Sequence, residues 1–193
     1  MPTLLATAAL AYALGCLNTG YYLVRVRTGD DLRSRGSGTA GATNTGRVLG
    51  RAGFVAAMAG DVLKGVAAVA LARWLAPGAG PALAAVAVVG GHIYPAQLGF
   101  RGGKGLATSF GAVVTLAPLV TGAAIAAVLA WLAATRRPVE AALVGVTLFP
   151  VAALALRGVE AITLAAAAIS ALVLTRHATV IRTLIEARRA GPA

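Results

Sequence analysis

The chain alternates long apolar runs with short polar stretches. The apolar runs fall at about 4–24, 53–75, 80–99, 105–117, 119–134, 139–156 and 161–175. Each is of helical length, and several are rich in Ala and Gly, which lets membrane helices pack closely. Two runs are shorter than the ~20 residues a membrane span needs. Pro118 divides 105–134, which leaves either one kinked helix or two short ones. The first run is expected as a retained span. Ala13-Leu14-Gly15-Cys16 looks slightly like a lipoprotein cleavage site, but Met1-Pro2-Thr3 supplies no positive charge ahead of it.

Charge decides how these runs thread a bilayer. With seven spans and the N-terminus outside, fourteen of the 17 lysines and arginines fall on the inner side. Only Arg73 and Arg157 fall outside, and Lys64 lies within a span. Six spans would scatter the cations over both sides, so the positive-inside rule selects seven. Trp74 and Trp131 near span ends fit an aromatic belt. The expected architecture is an all-α integral membrane bundle of about seven transmembrane helices. Its N-terminus is outside, its C-terminus cytoplasmic, and residues 1–193 form one domain.

Composition narrows the class further. A mean hydropathy of +0.82 with only 12% charged residues excludes an ordinary soluble domain. The net charge of +11 would suggest nucleic acid in a soluble protein. In a membrane protein it reflects loop arginines facing an anionic inner leaflet. The single Cys16 excludes an internal disulfide.

The polar stretches hold the candidate chemistry. Residues 36–47 read Gly-Ser-Gly-Thr-Ala-Gly-Ala-Thr-Asn-Thr-Gly-Arg. Gly36, Gly38 and Gly41 permit tight turns, Ser37, Thr43 and Asn44 supply hydrogen-bonding groups, and Arg47 and Arg51 add cations. Such a loop suits a phosphate, and it also suits an ordinary solvated connection. Its Gly36-x-Gly38-x-x-Gly41 string is no dinucleotide fingerprint, because apolar helices and not a β-α-β unit flank it. Asp61 and Lys64 are three residues apart on one helix face inside the second run. They form either a structural ion pair or part of a site. His92 precedes Phe100-Arg101-Gly102-Gly103-Lys104-Gly105, a glycine-flanked lysine at a helix start, where an anion is favoured. Arg176-His177 ends the last run, and Arg182, Arg188 and Arg189 follow on a short amphipathic tail of lipid-facing character. All three clusters fall on one expected side and could form a single cationic pocket.

These motifs resemble the bacterial acyl-phosphate:glycerol-3-phosphate acyltransferases of the PlsY type. The stretch Asp31-x-Arg33-x-x-Gly36-Ser37-Gly38-Thr39-x-Gly41-Ala42-Thr43-Asn44-x-x-Arg47 is similar to a family loop. Asp61-x-x-Lys64-Gly65 and Gly91-His92-x-x-Pro95 with Phe100-x-Gly102-Gly103-Lys104-Gly105-x-Ala107-Thr108 match two further family elements. The resemblance implies a seven-helix fold with its site on the cytoplasmic side of the bacterial inner membrane. It implies transfer of a fatty acyl group from acyl phosphate to glycerol 3-phosphate, giving lysophosphatidate and phosphate for phospholipid synthesis. It implies no metal, cofactor, acyl-carrier protein or nucleic acid, and a monomer among membrane lipids. Ser37, Asn44, Lys104, His92 and His177 are the implied catalytic residues. Gly36, Gly38, Gly41, Thr43, Arg47, Arg51, Gly102, Gly103 and Arg182 are the implied phosphate-binding residues. Asn44 and Lys104 are expected in loops with little packing to lose, and His92 and His177 as hydrogen-bond donors.

The chain departs from the family pattern in four places: Cys16 and Thr39 in the front half, and Val139-Glu140-Ala141 and Val180 in the back half. The alternative these suggest is a divergent paralogue with a changed acceptor or lost activity, one that binds or moves anionic lipids or phosphometabolites.

Overall fold

The computed structural model describes residues 1–189, with side chains through Glu186. The helices are α1 (Pro2–Cys16), α2 (Thr19–Thr28), α3 (Ala42–Leu75), α4 (Gly80–Ile93), α5 (Leu106–Leu116), α6 (Pro118–Thr135), α7 (Pro138–Arg157), α8 (Ala161–Arg176) and α9 (Ala178–Arg189). Short 3-10 turns lie at Leu32–Ser34 and Ala96–Leu98. The side chains of Arg188 and Arg189 lie outside the described residues.

Two apolar runs are divided. The run at 4–24 is not one continuous helix: it breaks at Leu17 and Asn18, and α1 and α2 meet at 41°. The cause is tertiary. The carbonyls of Gly15 and Leu17, which a continuing helix would use, accept from Lys64 Nζ at 3.0 and 2.9 Å. The run at 105–134 is two helices, because Ala117 leaves the helical conformation and Pro118 opens α6. Among the described residues, four helices are long and apolar enough to cross a bilayer, up to six if each bent pair is one span. The remaining apolar segment, α5, has 11 residues. At ~1.5 Å per residue it reaches only about half the ~30 Å hydrocarbon core.

The helix ends sort into two groups. Ala40 N–H donates to Gly102 O at 3.3 Å, and Arg33 donates to Leu98 O, so the loops after α2 and α4 meet. At the other end Arg73 donates to Thr115 O. α4 is the central helix, with Ala84, Ala85, Val88, Val89 and Ile93 fully buried against α1, α3, α5 and α8. Backbones touch where it crosses α1: a Cβ on Gly15 would come within 2.2 Å of Val88 O, and one on Gly91 within 2.2 Å of Tyr12 O. Large apolar side chains such as Leu63, Leu119 and Leu164 face outward, as lipid contact requires.

Candidate active site

The 29–41 loop is built by its own side chains. Asp31 accepts from Arg33 N–H at 2.8 Å and pairs with the Arg33 guanidinium at 2.7 Å. That hydrogen-bonded pairing holds the Asp31 carboxyl below its ordinary value against the opposing effect of burial. Arg33 also lies over the Tyr21 ring, so it ties loops together.

Asn44 is the hub. It lies in the first turn of α3, not in a loop, and is 1% exposed. Its Oδ1 accepts from Ser37 N–H at 2.9 Å, and its Nδ2 donates to the carbonyls of Leu32, Arg35 and Thr39 at 2.9–3.0 Å. Gly36 takes φ +55° above it, where a Cβ would lie 2.2 Å from Asn44 Oδ1. The expectation of little packing to lose is therefore corrected for Asn44: its amide is wholly engaged in shaping the loop. What the loop presents outward is the Ser37 hydroxyl, bonded only to Thr39 Oγ1, together with Thr43 and Arg47.

The 102–105 loop requires a similar correction. The N–H groups of Gly102 and Gly103 donate to Ile93 O and His92 O, both at 3.1 Å, so neither amide is open to a phosphate. Their small size is what matters, because a Cβ on Gly103 would lie 2.1 Å from His92 Nε2. The loop delivers Lys104, which is half-buried and makes no hydrogen bond or ion pair among the described residues. Burial, then Arg176 and Arg47, push the Lys104 ammonium below its ordinary value. That ordering brings Lys104, Arg176 and Arg47 together electrostatically from three different elements.

His177 caps α8 and is 3% exposed. Its Nδ1 faces Val173 O at 2.8 Å, and a carbonyl only accepts, so Nδ1 carries the proton. Burial lowers its pKa, Lys104 and Arg176 lower it further, and the Val173 bond opposes them. The neutral ring thus spends its one donor on Val173 O and offers a lone pair at Nε2. Arg176 was placed by the sequence in the third polar cluster but given no role of its own. Its guanidinium lies 5.8 Å from the Tyr94 ring centre, and its buried Nε has no partner among the described residues. Its position beside His177 was the available signal.

Arg51 and Arg182 are exposed and bear no recorded contact to this cluster. Gly38 and Gly41 shape the loop, Gly41 as the residue before α3 whose carbonyl accepts from Asn44 and Thr45. Asp61, Lys64 and His92 form a buried knot: Lys64 Nζ lies 2.9 Å from both Asp61 Oδ1 and His92 Nδ1. Glu140 is buried and paired with Arg137 at 3.0 Å, so the carboxylate that departs from the family pattern carries its own counter-charge.

One turn beyond Lys104 a partly open cavity of about 240 Å³ begins between α5, α6, α7 and α8, lined by Leu106, Phe110, Val113, Val146 and Phe149 among others. Three hydroxyls line it, and each is turned to a backbone carbonyl: Ser109 to Gly105, Thr121 to Ala117 and Ser170 to Val146. The cavity wall is therefore apolar. An uncompensated cationic cluster beside an apolar cavity fits a molecule with a phosphate head and a hydrocarbon tail.

A family model described as glycerol-3-phosphate acyltransferase matches residues 5–187. The chain is 49% identical over 114 residues to the glycerol-3-phosphate acyltransferase of Thermoanaerobacter pseudethanolicus, covering 59% of this chain and 58% of that protein. It is 46% identical over 128 residues to glycerol-3-phosphate acyltransferase 1 of Desulfitobacterium hafniense, covering 66% and 63%. The matched stretches thus span about three-fifths of these relatives' length. The Clostridioides difficile glycerol-3-phosphate acyltransferase matches at 40% over 150 residues, 75% of this chain and 74% of that one. Among solved structures, the glycerol 3-phosphate form of PlsY (YgiH), an integral membrane glycerol 3-phosphate acyltransferase, superposes with a TM-score of 0.86 at 29% identity, over 96% of this chain and 93% of that one.

Proposed function

The chain belongs to the glycerol-3-phosphate acyltransferase family, and from that premise we propose that it acylates glycerol 3-phosphate with acyl phosphate. The observation that carries this reading is the apolar cavity that opens at Leu106, two residues past Lys104, whose ammonium feels the charges of Arg176 and Arg47. The acyl chain occupies the cavity and its phosphate meets Lys104 and Arg47, with the Ser37 and Thr43 hydroxyls as further ligands. Arg176 meets the phosphate of the acceptor. The 1-hydroxyl of glycerol 3-phosphate attacks the acyl carbonyl, the bond from that carbon to the phosphate oxygen breaks, and a phosphate oxygen takes the hydroxyl proton. His177 Nε2 accepts a hydrogen bond from the attacking hydroxyl and orients it. The products are lysophosphatidate and phosphate.

Positioning and charge stabilisation do the work, a reading supported by Lys104, Arg47 and Arg176 having no ion pair among the described residues. The site faces the cytoplasm at the inner membrane, and the protein works as a monomer with its N-terminus outside. The test is incubation of purified protein with palmitoyl phosphate and labelled glycerol 3-phosphate. Labelled lysophosphatidate with equimolar phosphate is the expected product. No labelled lipid from intact, folded protein contradicts the proposal.

A further inference from the structure

Asp61 and His92 lie side by side and almost fully buried. A carboxylate beside a histidine ordinarily reads as a base dyad, in which the carboxylate accepts the Nδ1 proton and leaves Nε2 as the base. The contacts here point the other way. Asp61 Oδ1 is 3.6 Å from His92 Nδ1, beyond hydrogen-bond reach, whereas Lys64 Nζ is at 2.9 Å. An ammonium has donors only. The second neighbour of Nδ1, the Asn18 amide nitrogen at 3.3 Å, is also a donor and reaches His92 O at 3.0 Å. With only donors within hydrogen-bond reach, Nδ1 holds a lone pair, and the proton of the neutral ring sits on Nε2.

Lys64 is itself held in place. Gly15 O, Leu17 O, Asp61 Oδ1 and His92 Nδ1 lie 2.9–3.0 Å from its ammonium and share its three N–H donors. The two carbonyls lie at the end of α1, and Thr19 Oγ1 donates to Asp61 Oδ1 at 3.3 Å. On the opposite edge of the ring, Nε2 lies against Gly103, whose N–H donates to His92 O. His92 and the loop that carries Lys104 are therefore packed and hydrogen-bonded together.

We propose that Lys64 and Asn18 are positioning residues that fix His92 as the Nε2–H tautomer, so that it presents a hydrogen-bond donor and not a general base at the 102–105 loop. Asp61 acts on Lys64 and not on the ring. The use of that donor in catalysis rests on the acyl-transfer reading; the tautomer itself does not.

The chain has two histidines, so ¹⁵N-imidazole labelling yields two rings, and a His177→Gln sample assigns His92. At neutral pH the expected spectrum has an unprotonated Nδ1 and a proton on Nε2. Asp61→Asn keeps this pattern, because Lys64 still donates to Nδ1. Lys64→Met removes the donor, and Asp61 then draws a proton onto Nδ1. In turnover, Lys64→Met lowers kcat about 10- to 100-fold, short of the ~10³ that loss of a charge-stabilising donor can cost, with KM within about 3-fold. His92→Gln, whose amide nitrogen can donate near the Nε2 position, retains more kcat than His92→Leu.

Nδ1–H in the wild type, or a pattern that Asp61→Asn inverts, overturns the proposal. So does a folded Lys64→Met with the wild-type pattern. Where Lys64→Met does not fold, the wild-type and Asp61→Asn spectra decide. Full turnover in His92→Leu overturns the donor role. Should the wild type show the stated tautomer yet make no lysophosphatidate, the acyl-transfer reading fails and the tautomer assignment stands.

Discussion

Replacing Asn44 by alanine removes the bonds to Ser37 N–H and to the Leu32, Arg35 and Thr39 carbonyls at once. At a net ~1 kcal/mol per hydrogen bond, this loosens the loop by about 3–4 kcal/mol. The bundle itself should survive, because Asn44 is absent from the apolar core and the loop keeps Leu32 buried and Ala40 bonded to Gly102. Hydrogen exchange at 36–47 should therefore speed up by about 10²- to 10³-fold while the transmembrane amides stay protected. Acyl transfer should fall by at least ~10²-fold, because Ser37, Thr43 and Arg47 lose their fixed geometry. Asn44→Asp keeps an acceptor for Ser37 but turns a carboxylate toward three carbonyls, and should do no better than alanine. Normal turnover in Asn44→Ala would show that this loop is no part of the site. Lost turnover with unchanged exchange would show that Asn44 acts on the substrate directly and that the hub account is wrong.

Three further outcomes follow from the charges. The folded pKa of Lys104 is lowered from 10.5, so its charge opposes folding at neutral pH, and the conflict fades only as pH rises through that lowered value toward 10.5. Lys104→Gln should raise the Tm of the ligand-free protein by a few degrees while abolishing transfer, and inorganic phosphate should stabilise the wild type more than the variant; a lowered Tm contradicts this. His177 is likewise depressed, from 6.5, so its contribution to stability is complete above about pH 6.5 and is lost as pH falls through the folded value. Turnover should fall with it, and an acid limb unchanged in the residual activity of His177→Gln would assign that limb elsewhere. In a Cys16→Ser background, an impermeant maleimide applied outside should label Ala79→Cys and spare Ser34→Cys, and the reverse pattern overturns the orientation.

The apolar runs made the helical membrane architecture legible, and Pro118 marked the one boundary inside a continuous run. The break at Leu17 and Asn18 was not legible, because its cause lies on α3: Lys64 takes the carbonyls that would have continued α1. The glycine-rich loops were legible as candidate site elements, but the division of labour inside them was not. A sequence shows that Asn44, Gly102 and Gly103 can bind a ligand, whereas only the fold shows their polar groups already engaged. Arg176 was legible as a member of the third polar cluster, but its own role was not, because only the fold sets its guanidinium beside the Tyr94 ring. The cation set by itself named no substrate; the apolar cavity past Lys104 supplies the second half of the pattern.

The account turns on whether Lys104 and Arg176 hold substrate phosphate. Calorimetric titration of glycerol 3-phosphate into wild-type protein, Lys104→Gln and Arg176→Gln in the same detergent tests this most directly. The account predicts a saturable, salt-sensitive binding isotherm for the wild type, weakened at least ~10-fold in each variant, in line with loss of a charge-assisted contact. Equal affinity in all three folded proteins would contradict it.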